Sequence, residues 1–216
     1  MSAPRRIFII DDHPVVRRGL RSLFEGDGQW VCCGEAETQT EALDRLPEAG
    51  AELVLLDLSL REGSGLDLLK TLRARFPDVA VLMVSMHDEA LYADRCLRAG
   101  ARGYIMKHEP ADRVLEAVAT VLDGRIWLSE PMVQRMLTQV GGRATPLTTD
   151  PVARLTDREL EVFEMIGQGV GTRDIARRLG VSVKTVETYR AKIKTKLSLD
   201  TGAELVQQAV AWVQAL

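Results

Sequence analysis

The apolar run Leu53–Leu56, which ends at the acid Asp57, is the stretch that most constrains how this chain can fold. A continuous apolar run of this length is typical of a strand that is buried on both faces, as in parallel sheets. In open α/β sheets, ligands bind beyond the carboxyl ends of the strands, which is where Asp57 lies. A carboxylate beside a dry strand is costly unless a positive group lies next to it. The run therefore predicts a parallel sheet and a cationic partner for Asp57.

Predicted strands and helices alternate through the first half of the chain. The predicted strands span residues 7–10, 31–33, 53–56, 79–84 and 103–106. The predicted helices span residues 14–24, 40–46, 66–75, 90–97 and 110–122. Because such alternation is typical of α/β proteins, we expect a doubly wound, five-stranded parallel sheet here.

Polar side chains follow several of the predicted strands directly. Right-handed crossovers bring the carboxyl ends of parallel strands to one edge of the sheet, so we expect these side chains to converge there. Helix caps and solvated loops would explain any one of them, but they are a poor explanation of the whole set. The five residues are Asp11, Asp12, Asp57, Ser85 and Lys107.

This set of side chains favours phosphoryl chemistry. Carboxylates around a small cavity repel one another, and a hard cation such as Mg²⁺ relieves that repulsion while it bridges to phosphate oxygens. Lys107 and Ser85 add a cation and a hydroxyl donor for the same oxygens. An aspartate can itself be the nucleophile that forms an aspartyl phosphate, and Asp57 is the best-placed candidate.

The pattern changes after Gly124. A helix is predicted over residues 130–140, and the glycine, proline and small polar residues of 141–151 predict a flexible linker. We therefore expect one domain over residues 1–124, a linker with one helix over 125–150, and a second domain over 151–216.

The second domain is predicted to be helical throughout. Thr156 with Glu159 and Thr201 with Glu204 form capping-box patterns that open helices, while Thr172 and Ser182 are expected to cap two more helices. Gly180 supplies the tight turn between those two helices. A short helix, a glycine turn and a basic helix predict a helix-turn-helix.

The segment 173–196 of this domain is strongly basic, although the net charge of the whole chain is −3. Between residues 173 and 196 only Asp174 and Glu187 are acidic. A polyanion partner and a solvated basic helix face both remain open on charge alone. The eight basic residues are Arg173, Arg177, Arg178, Lys184, Arg190, Lys192, Lys194 and Lys196.

Together these residues resemble two known families. Residues 5–122, with the acid pair, Asp57, Ser85, Tyr104 and Lys107, resemble the flavodoxin-like receiver domain of response regulators. Residues 150–215 resemble a LuxR-type DNA-binding domain, through the segments Leu155–Glu159, Asp174–Ala176, Val186–Thr188 and Lys196–Leu197. The whole chain resembles a NarL/FixJ-type two-component response regulator, which is a transcription regulator and not an enzyme.

The resemblance implies roles for the residues of the first domain. A sensor histidine kinase would phosphorylate Asp57 with the help of Mg²⁺, which Asp57, Asp11, Asp12 and the carbonyl of Ser59 would hold. The remaining three residues would respond to the phosphoryl group: Lys107 by pairing with it, Ser85 by hydrogen bonding, and Tyr104 by turning inward. Two alternatives stay open, since Tyr104 could simply pack and His87 could act in dephosphorylation. His108 departs from the family, which often has proline there.

The basic helix would read DNA from its outer side, because Val186, Ile193 and Leu197 recur at core spacing. The candidates for base contacts are Lys184, Glu187, Thr188 and Ala191, and those for phosphate contacts are Thr185, Tyr189, Arg190 and Lys192. Many relatives have a basic residue in place of Glu187. The last helix has two apolar stripes, one with Val206, Val210 and Val213 and one with Leu205, Ala209 and Trp212, so one stripe is available for a homodimer.

Two other functions compete with that of a two-component response regulator. Phosphohydrolases of the haloacid-dehalogenase type need a second aspartate two residues after the nucleophile, where this chain has Ser59. A constitutive DNA-binding protein would not need the complete set of phosphorylation residues. The expected partners are promoter DNA, the kinase and a second copy of the chain, with RNA polymerase as a further candidate. The three cysteines and the absence of a membrane-length apolar run lead us to expect a cytoplasmic protein.

Overall fold

The structure is a computed structural model that describes residues 3–61, 63–140 and 151–214. The chain divides into two compact units, Met1–Gln134 and Arg135–Leu216, which are described separately. The predicted boundaries at residues 124 and 150 remain a prediction, and residues 141–150 of the predicted linker lie outside the described residues.

The first unit is built on a five-stranded parallel sheet with the strand order β2-β1-β3-β4-β5. The strands are β1 (Arg5–Ile10), β2 (Trp30–Ala36), β3 (Leu53–Leu56), β4 (Ala80–Ser85) and β5 (Gly103–Met106). All four residues of β3 are buried, and β3 pairs with β1 on one side and β4 on the other. The predicted doubly wound parallel sheet is confirmed.

Helices follow each strand of this sheet. They are α1 (Pro14–Asp27), α2 (Gln39–Ala49), α3 (Gly65–Arg75), α4 (Glu89–Arg98) and α5 (Ala111–Leu122), and α6 (Glu130–Val140) comes next along the chain. A hydrophobic core cluster lies between the sheet and helices α1 and α5, and it includes Phe24, whose ring meets Trp30 edge-on at 6.2 Å.

Several elements are longer than predicted, among them β2 and α2. Strand β2 runs from Trp30 to Ala36 because β1 pairs with it at both ends, with a register shift between Ile7 and Phe8. Helix α2 continues through Pro47 to Ala49, although proline removes a helical hydrogen bond. The Arg6 guanidinium donates to the carbonyl of Ala49 at 2.7 Å, which satisfies one of the helix-end acceptors that local sequence leaves open.

The second unit contains four α-helices among its described residues, preceded by a short 3-10 helix. The helices are α7 (Asp157–Gly167), α8 (Thr172–Arg178), α9 (Val183–Leu197) and α10 (Gly202–Gln214), and the 3-10 helix is Pro151–Arg154. The capping box of Thr156 and Glu159 is present. The prediction that Thr172 caps α8 is wrong: Gly171 occupies the cap position in extended backbone, and Thr172 is the first helical residue.

Helix α10 packs closely on α7. A side chain on Gly167 would overlap the carbonyl oxygen of Ala209, so only glycine allows this approach. The Trp212 ring lies 5.5 Å from that of Phe163, while Leu205 and Ala209 are buried. The stripe of Leu205, Ala209 and Trp212 therefore packs on its own domain, whereas Val206 of the other stripe is exposed.

Candidate functional site

The main chain positions the polar residues at the carboxyl edge of the sheet. Asp11, Asp57 and Lys107 each follow a strand by one residue, and each is still tied to the neighbouring strand by its backbone N–H. Asp11 donates to Ala36 O at 3.1 Å, and Asp57 donates to Ile10 O at 2.8 Å. Lys107 donates in the same way to the carbonyl of Ser85 at 2.8 Å. Because the sheet ladder continues through these residues, their backbones are held as firmly as the strands themselves.

A glycine closes the loop that follows Asp57. The backbone N–H of Gly65 donates to Leu58 O at 2.8 Å, and a side chain on Gly65 would overlap the carbonyl oxygen of Asp57. Ser64 caps helix α3 by accepting from the N–H of Leu66. Helix α3 can therefore begin directly against the backbone of Asp57.

The cationic partner predicted for Asp57 is Lys107. The Lys107 Nζ lies 2.7 Å from Asp57 Oδ2 and 2.7 Å from Asp11 Oδ2. The side chains are only 2% exposed for Asp57 and 3% for Asp11, so the ammonium and both carboxylates share a dry pocket. At this separation in a poorly solvated site, the attraction is far stronger than between surface charges.

The electrostatics of the pocket leave Asp57 under-compensated. Burial raises the pKa of Asp57 to about 6, and the charge of Asp11 adds to this increase against the opposing effect of Lys107 and the Ser59 N–H. Burial by itself would lower the pKa of Lys107, but the two carboxylates together raise it above its usual value. A single ammonium does not balance the buried carboxylates, so the pocket favours additional positive charge.

Asp12 and His13 extend this pocket towards solvent. One ligand atom from each of Asp11, Asp12, His13 and Asp57 lies within 4.8 Å of all the others, close enough to hold one metal ion. Asp12 Oδ1 is buried and accepts no hydrogen bond among the described residues, although His13 Nδ1 lies 2.8 Å from it. The oxygen-rich donor set with an unused buried oxygen fits a hard divalent cation such as Mg²⁺.

Ser85 and Tyr104 meet at the loop after β4. Ser85 is fully buried, and its Oγ accepts from the N–H of His87 at 3.1 Å. The Tyr104 hydroxyl donates to His87 O at 2.8 Å, and its ring is fully buried in this structure. The imidazole Nε2 of His87 lies 2.5 Å from Ser59 Oγ. His87 thus connects the loop after β4 to the loop that follows Asp57.

Helix α9 separates its core and outer sides as predicted: Val186, Ile193 and Leu197 are buried. On the other side, Lys184, Glu187, Thr188, Ala191 and Lys192 are exposed, while Thr185, Tyr189 and Arg190 are half-buried. The Thr188 hydroxyl donates to the carbonyl of Lys184 at 3.0 Å, so it offers a partner only its acceptor side. Arg190 lies 3.7 Å from the Glu187 carboxylate.

Comparison with known proteins decides the family. Residues 7–119 match the response regulator receiver domain, and residues 153–209 match the luxR family of bacterial regulatory proteins. The chain is 35% identical over 209 residues to the oxygen regulatory protein NreC of Staphylococcus aureus, which covers 95% of this chain and 96% of that protein. The chain belongs to the NarL/FixJ-type response regulators. It therefore combines a receiver domain with a LuxR-type DNA-binding domain, and its family is one of transcription regulators rather than enzymes.

Solved structures agree with this response-regulator fold. RcsB of Salmonella typhimurium aligns with a TM-score of 0.73 at 24% identity over 97% of this chain and 98% of that chain, a likeness that bears on the fold alone. ChrA, a response regulator of a heme-sensing two-component system, aligns with a TM-score of 0.53 at 26% identity over 100% of both chains. A structure of RcsB dimers bound to DNA aligns with a TM-score of 0.58 at 25% identity over 94% of this chain and 97% of that chain. None of the described helices combines the length and apolar character needed to cross a membrane.

Three residues of this response regulator lie beside the predicted site residues but are not among them. His13 reads in the sequence as a helix start, yet its Nδ1 lies 3.2 Å from Asp11 Oδ1. Arg17 reads as one more basic helix residue, yet its guanidinium is buried behind the acid pair. Thr195 is exposed about two helical turns beyond Thr188, on the side of α9 that carries the predicted DNA contacts. Helical periodicity could have found Thr195, whereas no local signal distinguishes the other two.

Lys196, one of the residues of the basic cluster, pairs with a buried carboxylate. Lys196 Nζ lies 2.6 Å from the Glu159 carboxylate, which is almost completely buried. Burial by itself would raise the pKa of Glu159, but hydrogen bonds from Lys196 and Thr156 lower it below its usual value. Lys196 therefore ties α9 to the capping box of α7 and belongs to the fold of the domain.

Proposed function

We propose that a sensor histidine kinase phosphorylates Asp57 and that the phosphoryl group switches promoter binding by α9. The protein would act in the cytoplasm, with a receiver domain over residues 1–124, a linker over 125–150 and a DNA-binding domain over 151–216. The proposal is carried by one observation: Lys107 Nζ bridges the buried carboxylates of Asp57 and Asp11 at 2.7 Å each. A buried, under-compensated carboxylate with a fixed cation beside it is a suitable nucleophile for phosphoryl transfer.

The transfer forms one bond and breaks one. A carboxylate oxygen of Asp57 attacks the phosphorus of the kinase phosphohistidine, the P–N bond breaks, and the imidazole leaves with the bonding pair and takes up a proton. The Lys107 ammonium stabilises the charge on the phosphoryl oxygens during this step. It is well placed to do so, since it already lies against the attacking carboxylate.

Asp11, Asp12, Asp57 and the carbonyl of Ser59 would hold Mg²⁺, and His13 lies beside the same carboxylates. The cation would supply positive charge that neutralises the phosphoryl oxygens. The buried Asp12 oxygen without a hydrogen bond and the three carboxylates in one small pocket support this assignment. In the absence of a cation, these carboxylates would repel an incoming phosphoryl group.

Ser85 and Tyr104 would respond to the phosphoryl group. Phosphorylation replaces the single negative charge of the Asp57 carboxylate by a phosphoryl group with a charge of about −2 and three acceptor oxygens, and the Ser85 hydroxyl would donate to one of them. Turning Ser85 towards the phosphate would break its contact with His87, whose carbonyl also holds Tyr104. The charge change would thereby reach the loop after β4 and helix α4.

DNA would be bound by the outer side of α9. Lys184, Glu187, Thr188 and Ala191 would meet base edges, while Thr185, Tyr189, Arg190 and Lys192 would meet phosphates. Because one small domain makes few phosphate contacts, we propose that the phosphorylated protein binds as a homodimer, as RcsB dimers do in their structure with DNA. Release of α9 from the receiver and dimerisation are two routes to the same switch, and RNA polymerase is a candidate partner at the promoter.

The test is intact mass after incubation with a small acyl-phosphate donor and Mg²⁺. Wild type should gain one phosphoryl group, whereas Asp57→Asn and wild type treated with a chelator should not. Asp67→Asn, an exposed-face control on α3, should behave as wild type. Promoter affinity is then compared between phosphorylated and untreated protein. No mass gain, together with tight DNA binding by untreated protein, would overturn the proposal in favour of constitutive DNA binding.

A further inference from the structure

Arg17 is a buried cation that the proposed phosphoryl transfer does not use directly. It lies on α1, its side chain is 9% exposed, and its guanidinium makes contacts in three directions. Nη1 donates to the backbone carbonyl of Asp11 at 2.6 Å, and Nε donates to the Glu35 carboxylate at 3.2 Å. Nη2 donates to the Glu37 carboxylate. A planar guanidinium is suited to such a fork, and a lysine ammonium is not.

The contact with Asp11 has consequences for both acids of the pair. The carbonyl of Asp11 belongs to the peptide unit that joins Asp11 to Asp12, so fixing this oxygen fixes the plane from which both residues extend. On its other side, the Asp11 N–H is held by Ala36 O at 3.1 Å. The backbone of Asp11 is thus held at both ends, and the end nearer to Asp12 depends on Arg17.

The two glutamates that accept hydrogen bonds from Arg17 are attached to regular secondary structure. Glu35 is in strand β2, which pairs with β1. Glu37 follows that strand, and its backbone N–H donates to the Glu41 carboxylate at 2.7 Å, which ties it to the first turn of α2. A buried guanidinium is stable only when its charge and donors are matched, and here two carboxylates and a carbonyl match them.

We propose that Arg17 is a positioning residue for the cation site, holding the Asp11–Asp12 peptide so that the carboxylates of both residues face the pocket of Asp57. The proposal rests on the proposed Mg²⁺-dependent phosphorylation. Arg17 would act through the Asp11 carbonyl, to which it donates, and not by contact with the cation or the phosphoryl group. Residues that orient metal ligands from behind typically change metal affinity by about 10–100-fold when they are removed.

The test compares Arg17→Met with Arg21→Met in the full-length protein. Arg21 is on the same helix and pairs with the same Glu35, but it forms no hydrogen bond or ion pair with Asp11 among the described residues, and its side chain is half-exposed. Mg²⁺ affinity is measured by isothermal titration calorimetry without any phosphodonor. Arg17→Met should weaken Mg²⁺ binding by about tenfold or more, whereas Arg21→Met should stay within about twofold of wild type.

A second readout separates positioning from general damage. The rate of phosphoryl gain from the acyl phosphate is measured against Mg²⁺ concentration. In Arg17→Met the half-saturating Mg²⁺ concentration should rise by about tenfold, while the maximal rate stays within about threefold of wild type. Equal loss of both parameters, or unchanged Mg²⁺ affinity in a folded Arg17→Met, would overturn the proposal.

A conservative variant protects the test against a folding failure. Arg17→Lys keeps the charge and most of the packing but cannot donate to Asp11, Glu35 and Glu37 together, so its Mg²⁺ affinity should fall between wild type and Arg17→Met. If Arg17→Met does not fold, Arg17→Lys is compared with Arg21→Lys, and equal Mg²⁺ affinities of that pair would overturn the proposal. Failure of wild type to bind Mg²⁺ would instead overturn the proposed function, whatever the variants do.

Discussion

The acidic pocket of the receiver and the outer side of α9 are both sets of charged side chains, but they are built in different ways. The pocket takes one or two residues from the end of each of several strands, and the sheet ladder holds their backbones. The α9 side comes from one helix, and several of its side chains are exposed. In the pocket the buried charges therefore interact with particular neighbours at fixed distances, whereas most of the charged side chains on the outer side of α9 face solvent.

This difference in burial determines how strongly a single substitution should affect each of the two regions. Charges in the dry pocket interact strongly and over fixed distances, so removal of one changes the energy of all the others. Exposed charges on a helix are screened, and each contributes nearly independently to binding a polyanion. Single substitutions should therefore have large effects in the pocket and small, additive effects on α9.

The largest effect is expected for Lys107→Met. This change leaves Asp57 and Asp11 buried without their shared cation, and it removes the donor that faces the phosphoryl oxygens. Loss of one such preorganised donor costs about 10²–10³ in rate. Phosphoryl gain by intact mass over time should slow accordingly, while Lys70→Met on the exposed side of α3 should leave the rate unchanged. A Lys107→Met rate within about tenfold of wild type would contradict the strong coupling.

Glu159 is a carboxylate of the DNA-binding domain that is buried next to a fixed cation, as Asp57 is in the receiver pocket. Glu159→Gln weakens the contact with Lys196 and the capping box, so the free energy of unfolding at neutral pH should fall by about 1–3 kcal/mol. Chemical denaturation followed by circular dichroism measures this change. Glu161→Gln on the same helix serves as a control, and it should lower the free energy of unfolding by less than Glu159→Gln does.

The pH dependence of the same site follows from its lowered pKa. Since the folded state binds the proton of Glu159 less readily than the unfolded state, its stabilising contribution is fully present above the ordinary glutamate pKa. It is lost as the pH falls from about 4.3 through the folded-state pKa. The difference in unfolding free energy between wild type and Glu159→Gln should therefore shrink in that acid range. A difference that does not change with pH would show that packing, not charge, dominates.

A pair of lysines on α9 tests the contrast within one helix. Lys192 is exposed, so Lys192→Met should lower the slope of log affinity against log salt by about one unit without changing stability. Lys196 is bound to Glu159, so Lys196→Met should destabilise the domain and leave the salt slope nearly unchanged. Fluorescence anisotropy with labelled promoter DNA across a salt series measures both slopes. If both variants lowered the salt slope by the same amount, Lys196 would also contact DNA.

The smallest effect is expected for Thr195→Ala. The Thr195 hydroxyl donates to the carbonyl of Ala191 at 3.1 Å, so it can offer DNA only an acceptor and a methyl group. A bidentate contact to a base edge gives about 1–3 kcal/mol of discrimination between bases. Thr195 can make only a weaker contact, so Thr195→Ala should reduce the discrimination between promoter sequences by less than about 1 kcal/mol. Competition binding with promoter variants measures it against Gln207→Ala on α10 as a control. A larger loss would indicate that Thr195 is a principal base contact.

Much of this molecule could be predicted from local sequence. The buried strand before Asp57, the polar residues at the strand ends and the capping box of Thr156 all depend on neighbours a few residues away. The convergence of Asp11, Asp57 and Lys107 followed from strand order in a parallel sheet, since the topology leaves one edge for all carboxyl ends.

The features that local sequence does not predict depend on contacts between residues far apart in the chain. Helix α2 passes Pro47 because Arg6, distant in sequence, satisfies its end. Lys196 counts among the eight basic residues of the predicted cluster, because a lysine that meets a buried glutamate has the same local sequence signal as one that faces solvent. Local sequence gives no signal for Arg17 either, since its partners Glu35 and Glu37 lie in strand β2 and in the loop after it.

The sequence by itself determined the order and type of the strands and helices, the capping box of Thr156 and which residues reach the carboxyl edge of the sheet. These features depend on periodicity and on hydrogen bonds within a few residues. Only the tertiary structure decided which charges are buried in pairs and which stay in water. The energy of a charge depends on burial and on neighbours far along the chain, and it changes by several kcal/mol between the two environments.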